Sequence, residues 1–199
     1  MKQLLQNLSS GEIIIKEVPV PNSKKDYILI QSSSSLISSG TERMLLDFGK
    51  ANLIQKAISQ PTKVKEVIDK VKTDGIDQTI EAVKSKLDAP MPMGYCNVGK
   101  VIDGGGTSFE KDQRVISNGF HAEVVRVPKN LVCAVPDSVD NETAAFTVLG
   151  AISLQGIRLI NPSLGENIVV IGLGILGLLS IQILKANGCN VLGVDVDKE

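Results

Sequence analysis

The spacing of apolar residues changes several times along the chain, and each change marks a different kind of element. From residue 11 to 30 β-branched clusters, EIIIKEVPV and YILI, flank the turn-forming PNSKKD, which predicts strand, turn, strand. The serine-rich SSSSLISSGTE follows at Ser32 to Glu42; its first part extends the strand begun at Tyr27, and Ser38 to Glu42 form a turn. Residues 43 to 90 take up helical spacing. Val64, Val67, Ile68 and Val71 make one stripe, and Ile76, Ile80, Val83 and Leu87 a second beyond the Thr73-Asp74-Gly75 break, so two amphipathic helices are expected. After Pro90 the pattern is again that of strands, in GYCNVGKVID, QRVIS and HAEVVRVP, with Gly104 to Gly106 as a turn. Short strands separated by Gly and Pro predict a small barrel or sandwich. From Asp140 a helical stretch leads to NIVVIG, LLSIQILKANG and NVLGVDVD, which read as strand, helix, strand.

Composition narrows the function classes. A net charge of −1 with balanced acids and bases in the helical segment gives no surface for nucleic acid. Cys96, Cys133 and Cys189 are odd in number and widely spaced, which argues against a disulfide framework and a structural zinc knuckle and fits a reducing compartment. The N-terminus carries no apolar run of the kind a signal peptide needs, and the cytoplasm is the expected location. The uncharged run Asn167 to Leu184 falls short of the roughly 20 residues of a membrane span, and glycines interrupt it. No membrane is expected as a partner.

The most informative motif lies within that run. Gly172-Leu173-Gly174-Ile175-Leu176-Gly177 follows an Ile/Val strand, opens a helix, and precedes Asp195 at the end of the next strand by about 20 residues. Each residue has a task in dinucleotide binding. Gly172 permits the tight turn, Gly174 leaves room for a pyrophosphate beside the backbone, and Gly177 lets helix and strand pack closely. The helix N-terminus faces the phosphates, and Asp195 accepts from the adenosine ribose hydroxyls. A carboxylate there, with Asp197 close behind and no following Arg, favours NAD over NADP. The competing reading is an unliganded turn in another α/β domain.

With barrel-like strands first and a dinucleotide unit second, the chain resembles the medium-chain dehydrogenase/reductase superfamily, in the stretches EVPVP, SSGTE, MGYCNVGKVID, QRVISNGFHAEVVRVP, ETAAFTVLGAISLQGI and LGENIVVIGLGILG. The resemblance implies an α/β fold with a β-barrel: a GroES-like catalytic domain over residues 1–145, with a helical insertion at about 43–90, then over 146–199 the first β-α-β unit of a Rossmann domain. Zinc members of that superfamily would have Cys at the position of Ser39, His-Glu at Tyr95-Cys96, and a third ligand near Leu149. Ser, Tyr and Leu cannot form such a donor set, so no catalytic zinc is expected.

Without a metal, side-chain donors must polarise the substrate, and the resemblance points to Thr41 and Tyr95. Two readings stay open for each. Thr41 either relays a proton or caps the following helix; Tyr95 either faces the substrate or fills the vacated metal cavity. His121 reads as a satisfied strand residue ahead of a base, and Cys96 as a packed residue ahead of a nucleophile.

The helical insertion and the stretches SLISSGTERMLLDFGKANLIQKA and EAVKSKLDAPMPMGYCNVG narrow the resemblance to the N-terminal part of bacterial bi-domain oxidoreductases of surface-polysaccharide gene clusters. That implies a sugar or nucleotide-sugar substrate, a second oxidoreductase domain further along the full-length protein, and room for a homo-oligomer. Only two strands of a Rossmann sheet precede Glu199, so a truncated chain, inactive alone, is the expectation. A non-catalytic NAD-binding or assembly module and a metal-free quinone or enoyl reductase are the alternatives.

Overall fold

A computed structural model describes residues 1–196, the side chain of Leu53 apart; Asp197 lies outside the described residues. In chain order the first elements are β1 (Lys2–Gln6), β2 (Ile13–Glu17), β3 (Tyr27–Ser35), α1 (Ser39–Lys50), α2 (Leu53–Ser59), α3 (Pro61–Asp74), α4 (Ile76–Asp88) and β4 (Met91–Pro92). They are followed by β5 (Asn97–Asp103), β6 (Arg114–Ser117), β7 (Val124–Pro128) and β8 (Val132–Ala134). The chain closes with α5 (Asn141–Ala144), α6 (Thr147–Ile160), β9 (Asn167–Ile171), α7 (Ile175–Ala186) and β10 (Asn190–Val194). Two compact units result, one of residues 1–19 and 39–93, the other of 20–38 and 94–196.

The first unit joins an antiparallel sheet of order β2-β1-β4 to the four helices. Local chemistry sets their limits. Asn52 and Gln55 form a capping box at the start of α2, Pro61 opens α3 where no N–H is needed, and Gly75, at φ +85°, separates α3 from α4. Helical periodicity is present where the sequence predicts it, but in four helices across 39–88 rather than two. On α4 the buried side chain is Thr79, whose hydroxyl donates to the Gly75 carbonyl at 2.7 Å, while Ile76 and Ile80 stay exposed. A hydroxyl bonded one turn back has no need of water, which is why a polar residue takes the inner position.

The second unit is built on a five-stranded antiparallel sheet, order β7-β3-β5-β6-β8. Ile28, Ile30, Val101, Val115, Val125 and Val127 form one core cluster, and Val98, Ile116, Val135, Ala144 and Ala145 a second. Truncating a side chain as buried as Ile30 to Ala costs about 2–5 kcal/mol. The β3–β5 pairing slips between Ser32 and Ser34. Gly99 makes this approach feasible, because a methyl group there would stand 2.1 Å from the Gln31 carbonyl oxygen. The serine run is ordered strand through Ser35; Ile37, read from sequence as strand, lies beyond its end. His121 also falls outside a strand, in the bend before β7.

In the same unit α6 packs against α7, and β9 and β10 pair in parallel from Asn167↔Asn190 to Ile171↔Val194. Ile157, Leu184 and Cys189 are buried between these elements, with Ile168, Val170 and Val191 packed on them. Among the described residues no helix is long and apolar enough to cross a membrane.

Candidate functional site

The glycine turn joins β9 to α7 in the conformation its residues dictate. Gly172 has φ +95°, in the region open to glycine. A methyl group at Gly177 would stand 1.9 Å from the Gly172 carbonyl oxygen, so only glycine lets the first turn of α7 lie this close to the strand end. Gly174 differs: a methyl group there meets nothing within 4 Å. Positive φ therefore explains the first glycine and packing the third, and neither explains the second.

Gly174 is also the residue from which α7 starts, and no side chain caps that end. Its N–H groups and the positive end of the helix dipole are oriented for an anion. Asp195 follows β10 directly. Its carboxylate accepts a hydrogen bond from the Leu173 N–H at 2.5 Å, while the Gly172 N–H donates to the Val194 carbonyl at 2.8 Å. Gly172, Gly174, Gly177 and Asp195 are thus brought together beyond the C-terminal ends of the β9–β10 pair. The sequence reading missed Gly193, where a methyl group would meet the Leu173 side chain at 2.8 Å and that of Ile181 at 3.1 Å. A glycine inside a strand was the available signal of such an approach.

Tyr95 lies elsewhere in the same unit, on a cavity of about 620 Å³ whose lining includes Asn118, Cys133, Thr147, Ile152 and Gln155. Its hydroxyl donates to Ser38 Oγ at 2.7 Å. This bond belongs to a series along the serine-rich segment. Asn97 Nδ2 donates to Ser32 Oγ at 2.8 Å, and His121 Nδ1 lies 2.8 Å from Ser35 Oγ. The serines are therefore polar partners for side chains on neighbouring segments. No sequence signal singled out Ser38 or Asn97, because their pairing depends on a register set across about 60 residues. His121 packs over Gly94, where a methyl group would reach its ring at 2.5 Å.

Thr41 lies in the first turn of α1, exposed, in the other unit, as does Ser39. Of the positions matching zinc ligands in the second unit, Leu149 is a buried aliphatic side chain, Cys96 is fully buried, and Tyr95 offers a phenol already hydrogen-bonded to Ser38. These side chains do not make a Cys/His donor set. Among the described residues no group of three His, Cys, Asp or Glu is placed to hold a metal.

No protein-family model matches the chain. An alcohol dehydrogenase of a Moraxella species is 35% identical over 83 residues, 41% of this chain and 25% of that protein. Glucose 1-dehydrogenase of Thermoproteus tenax is 26% identical over 193 residues, 90% of this chain and 53% of its own length. Among solved structures, a quinone oxidoreductase of Thermus thermophilus, also solved with NADPH, superposes with a TM-score of 0.67 at 19% identity, covering 100% of this chain and 54% of that one. The sequence relatives support kinship with the alcohol dehydrogenase-like, medium-chain dehydrogenases, and the structural neighbour shows an α/β fold shared with oxidoreductases. The chain spans about half the length, or less, of these relatives.

Proposed function

We propose that the chain is part of an NAD-dependent, zinc-independent, alcohol dehydrogenase-like oxidoreductase acting on the hydroxyl or carbonyl group of a sugar-like molecule. In this reading residues 1–145 form the GroES-like catalytic domain with its insertion at about 43–90, and residues 146–199 begin the Rossmann domain. One observation carries the proposal: the glycine turn leaves open space at Gly174 where the fold itself asks for none.

The α7 N-terminus and the clearance at Gly174 receive the pyrophosphate. Asp195, anchored by Leu173, keeps acceptor capacity for ribose hydroxyls, since a carboxylate offers about four acceptor positions. A 2′-phosphate beside that charge is repelled, which favours NAD. A bound nicotinamide supplies the hydride acceptor or donor. Tyr95 turns its O–H from Ser38 to the substrate oxygen on the wall of its cavity. The aliphatic Leu149 and the phenol of Tyr95 support the zinc-free reading. A polyhydroxylated substrate agrees with the relative that is a glucose 1-dehydrogenase, and with the amide and hydroxyl groups of Asn118, Thr147 and Gln155 on the cavity.

Saturation-transfer NMR with NAD⁺ and NADP⁺ tests the cofactor assignment. Saturable binding that is stronger for NAD⁺ is expected, and no saturable binding of either would remove the proposal's support.

A further inference from the structure

The helical part of the first unit holds a second cavity, of about 940 Å³, near the upper end of the roughly 300–1,000 Å³ typical of small-molecule sites. Its lining is mostly apolar and draws on all four helices, with Leu45 and Phe48 from α1, Lys56 and Ala57 from α2, Val64 and Val67 from α3, and Val83 and Leu87 from α4. Met44 and Ile68, also on the lining, are 62% and 52% exposed, an apolar rim of the kind that marks ligand grooves.

One of the lining residues, Lys56 on α2, carries a buried cation. Lys56 is only 7% exposed, and its ammonium donates to the Gly49 carbonyl at 2.9 Å and the Ser9 carbonyl at 3.3 Å, with the Phe48 ring centroid 5.9 Å away. An ammonium has three donors, and these contacts use two. The acids on the same lining are engaged elsewhere: Asp47 pairs with Arg43 at 3.9 Å, and Glu66 with Lys63 at 3.0 Å. Lys56 makes no ion pair among the described residues. A buried charge without a counter-charge is costly, and an apolar cavity is costly to leave empty, so one ligand with an anionic end and an apolar body satisfies both.

We propose that this cavity binds a single-chain amphiphile through its carboxylate, with the head at Lys56 and the chain among the α1, α3 and α4 side chains. One remaining donor on one ammonium suits a singly charged head; a dianionic phosphate would call for more. The site is separate from the glycine turn and does not depend on its assignment.

Calorimetric titration of the full chain with dodecanoate, and with dodecyltrimethylammonium as the cationic counterpart, tests the inference. Dodecanoate is expected to bind saturably at one site and the cation not to bind. Lys56→Met, which keeps the length of the side chain, should weaken dodecanoate by roughly tenfold or more, the effect of losing a charge-assisted hydrogen bond. Equal binding of the two amphiphiles, no binding of dodecanoate, or undiminished affinity in a folded Lys56→Met protein would each overturn it. Should Lys56→Met not fold, Val67→Trp decides, because filling the cavity must abolish dodecanoate binding and retained binding would refute the site.

Discussion

The carboxylate of Asp195 accepts a hydrogen bond from the Leu173 N–H at 2.5 Å, so the acid beyond β10 braces the glycine turn beyond β9. The acid is held at the lip of the turn before any ligand arrives, and less ordering remains for binding to accomplish. Asp195→Ala removes the brace and, with it, the acceptor proposed for the ribose. NAD⁺ binding is expected to weaken roughly 10–100-fold, in line with about 1.5–3 kcal/mol for a hydrogen bond to a charged group. The preference for NAD⁺ over NADP⁺ should narrow at the same time, since the charge that repels a 2′-phosphate is gone. Titration of both nucleotides measures the two effects together, and an unchanged preference would separate Asp195 from cofactor choice.

Gly177→Ala acts on the fold. A methyl group 1.9 Å from the Gly172 carbonyl oxygen forces α7 away from the strand end. The cost should reach about 1–3 kcal/mol, the range for overpacked sites, or exceed it. Urea unfolding gives the number, and a loss below ~0.5 kcal/mol would mean that the turn is looser than described.

The bond from Tyr95 to Ser38 predicts a modest structural cost and a larger chemical one. Tyr95→Phe should destabilise the chain by about 0.5–1.5 kcal/mol, and Ser38→Ala by a similar amount, with the double variant less destabilised than the sum. In an assay of the proposed oxidoreductase activity, Tyr95→Phe should reduce turnover with NAD⁺ affinity unchanged. Full turnover in that variant would confine Tyr95 to packing.

Two acids set an acid limb for the second unit. The Thr143 N–H, at 2.7 Å, and then its hydroxyl, at 2.9 Å, hold the Asp140 carboxyl below its ordinary range; the Ser23 hydroxyl and then the Gly105 N–H do so for Asp103. Both acids bind protons more weakly folded than unfolded. Their contribution to stability is therefore complete above the ordinary aspartate value of about 3.9, and is lost as pH falls through the lowered folded values. Asp140→Asn should flatten the fall in unfolding midpoint between about pH 5 and pH 2. An identical acid limb in the variant would show that Asp140 gains nothing from its cap.

Much of this arrangement is legible in local sequence, because local chemistry produces it. The β9-α7-β10 unit follows from Ile/Val runs, three spaced glycines and a terminal Asp; the α3 and α4 stripes follow from helical periodicity. The serine-rich segment shows where such reading stops. Its composition resembles a linker, yet Ser32, Ser35 and Ser38 are partners for Asn97, His121 and Tyr95, contacts that exist only once distant segments are in register. The cavity beside Lys56 was equally hidden, since a lysine in a basic helical stretch reads as solvated until packing buries it.

Gly174 is where the proposed dinucleotide site and an ordinary turn predict different outcomes. Its added methyl group would meet no atom of the protein within 4 Å, so Gly174→Ala should leave the unfolding free energy within ~0.5 kcal/mol of the parent. NAD⁺ titration followed by saturation-transfer NMR should show saturable binding to the parent chain and its loss in the variant. Equal NAD⁺ binding by parent and Gly174→Ala, or none by the parent, would contradict the assignment of this turn to a dinucleotide.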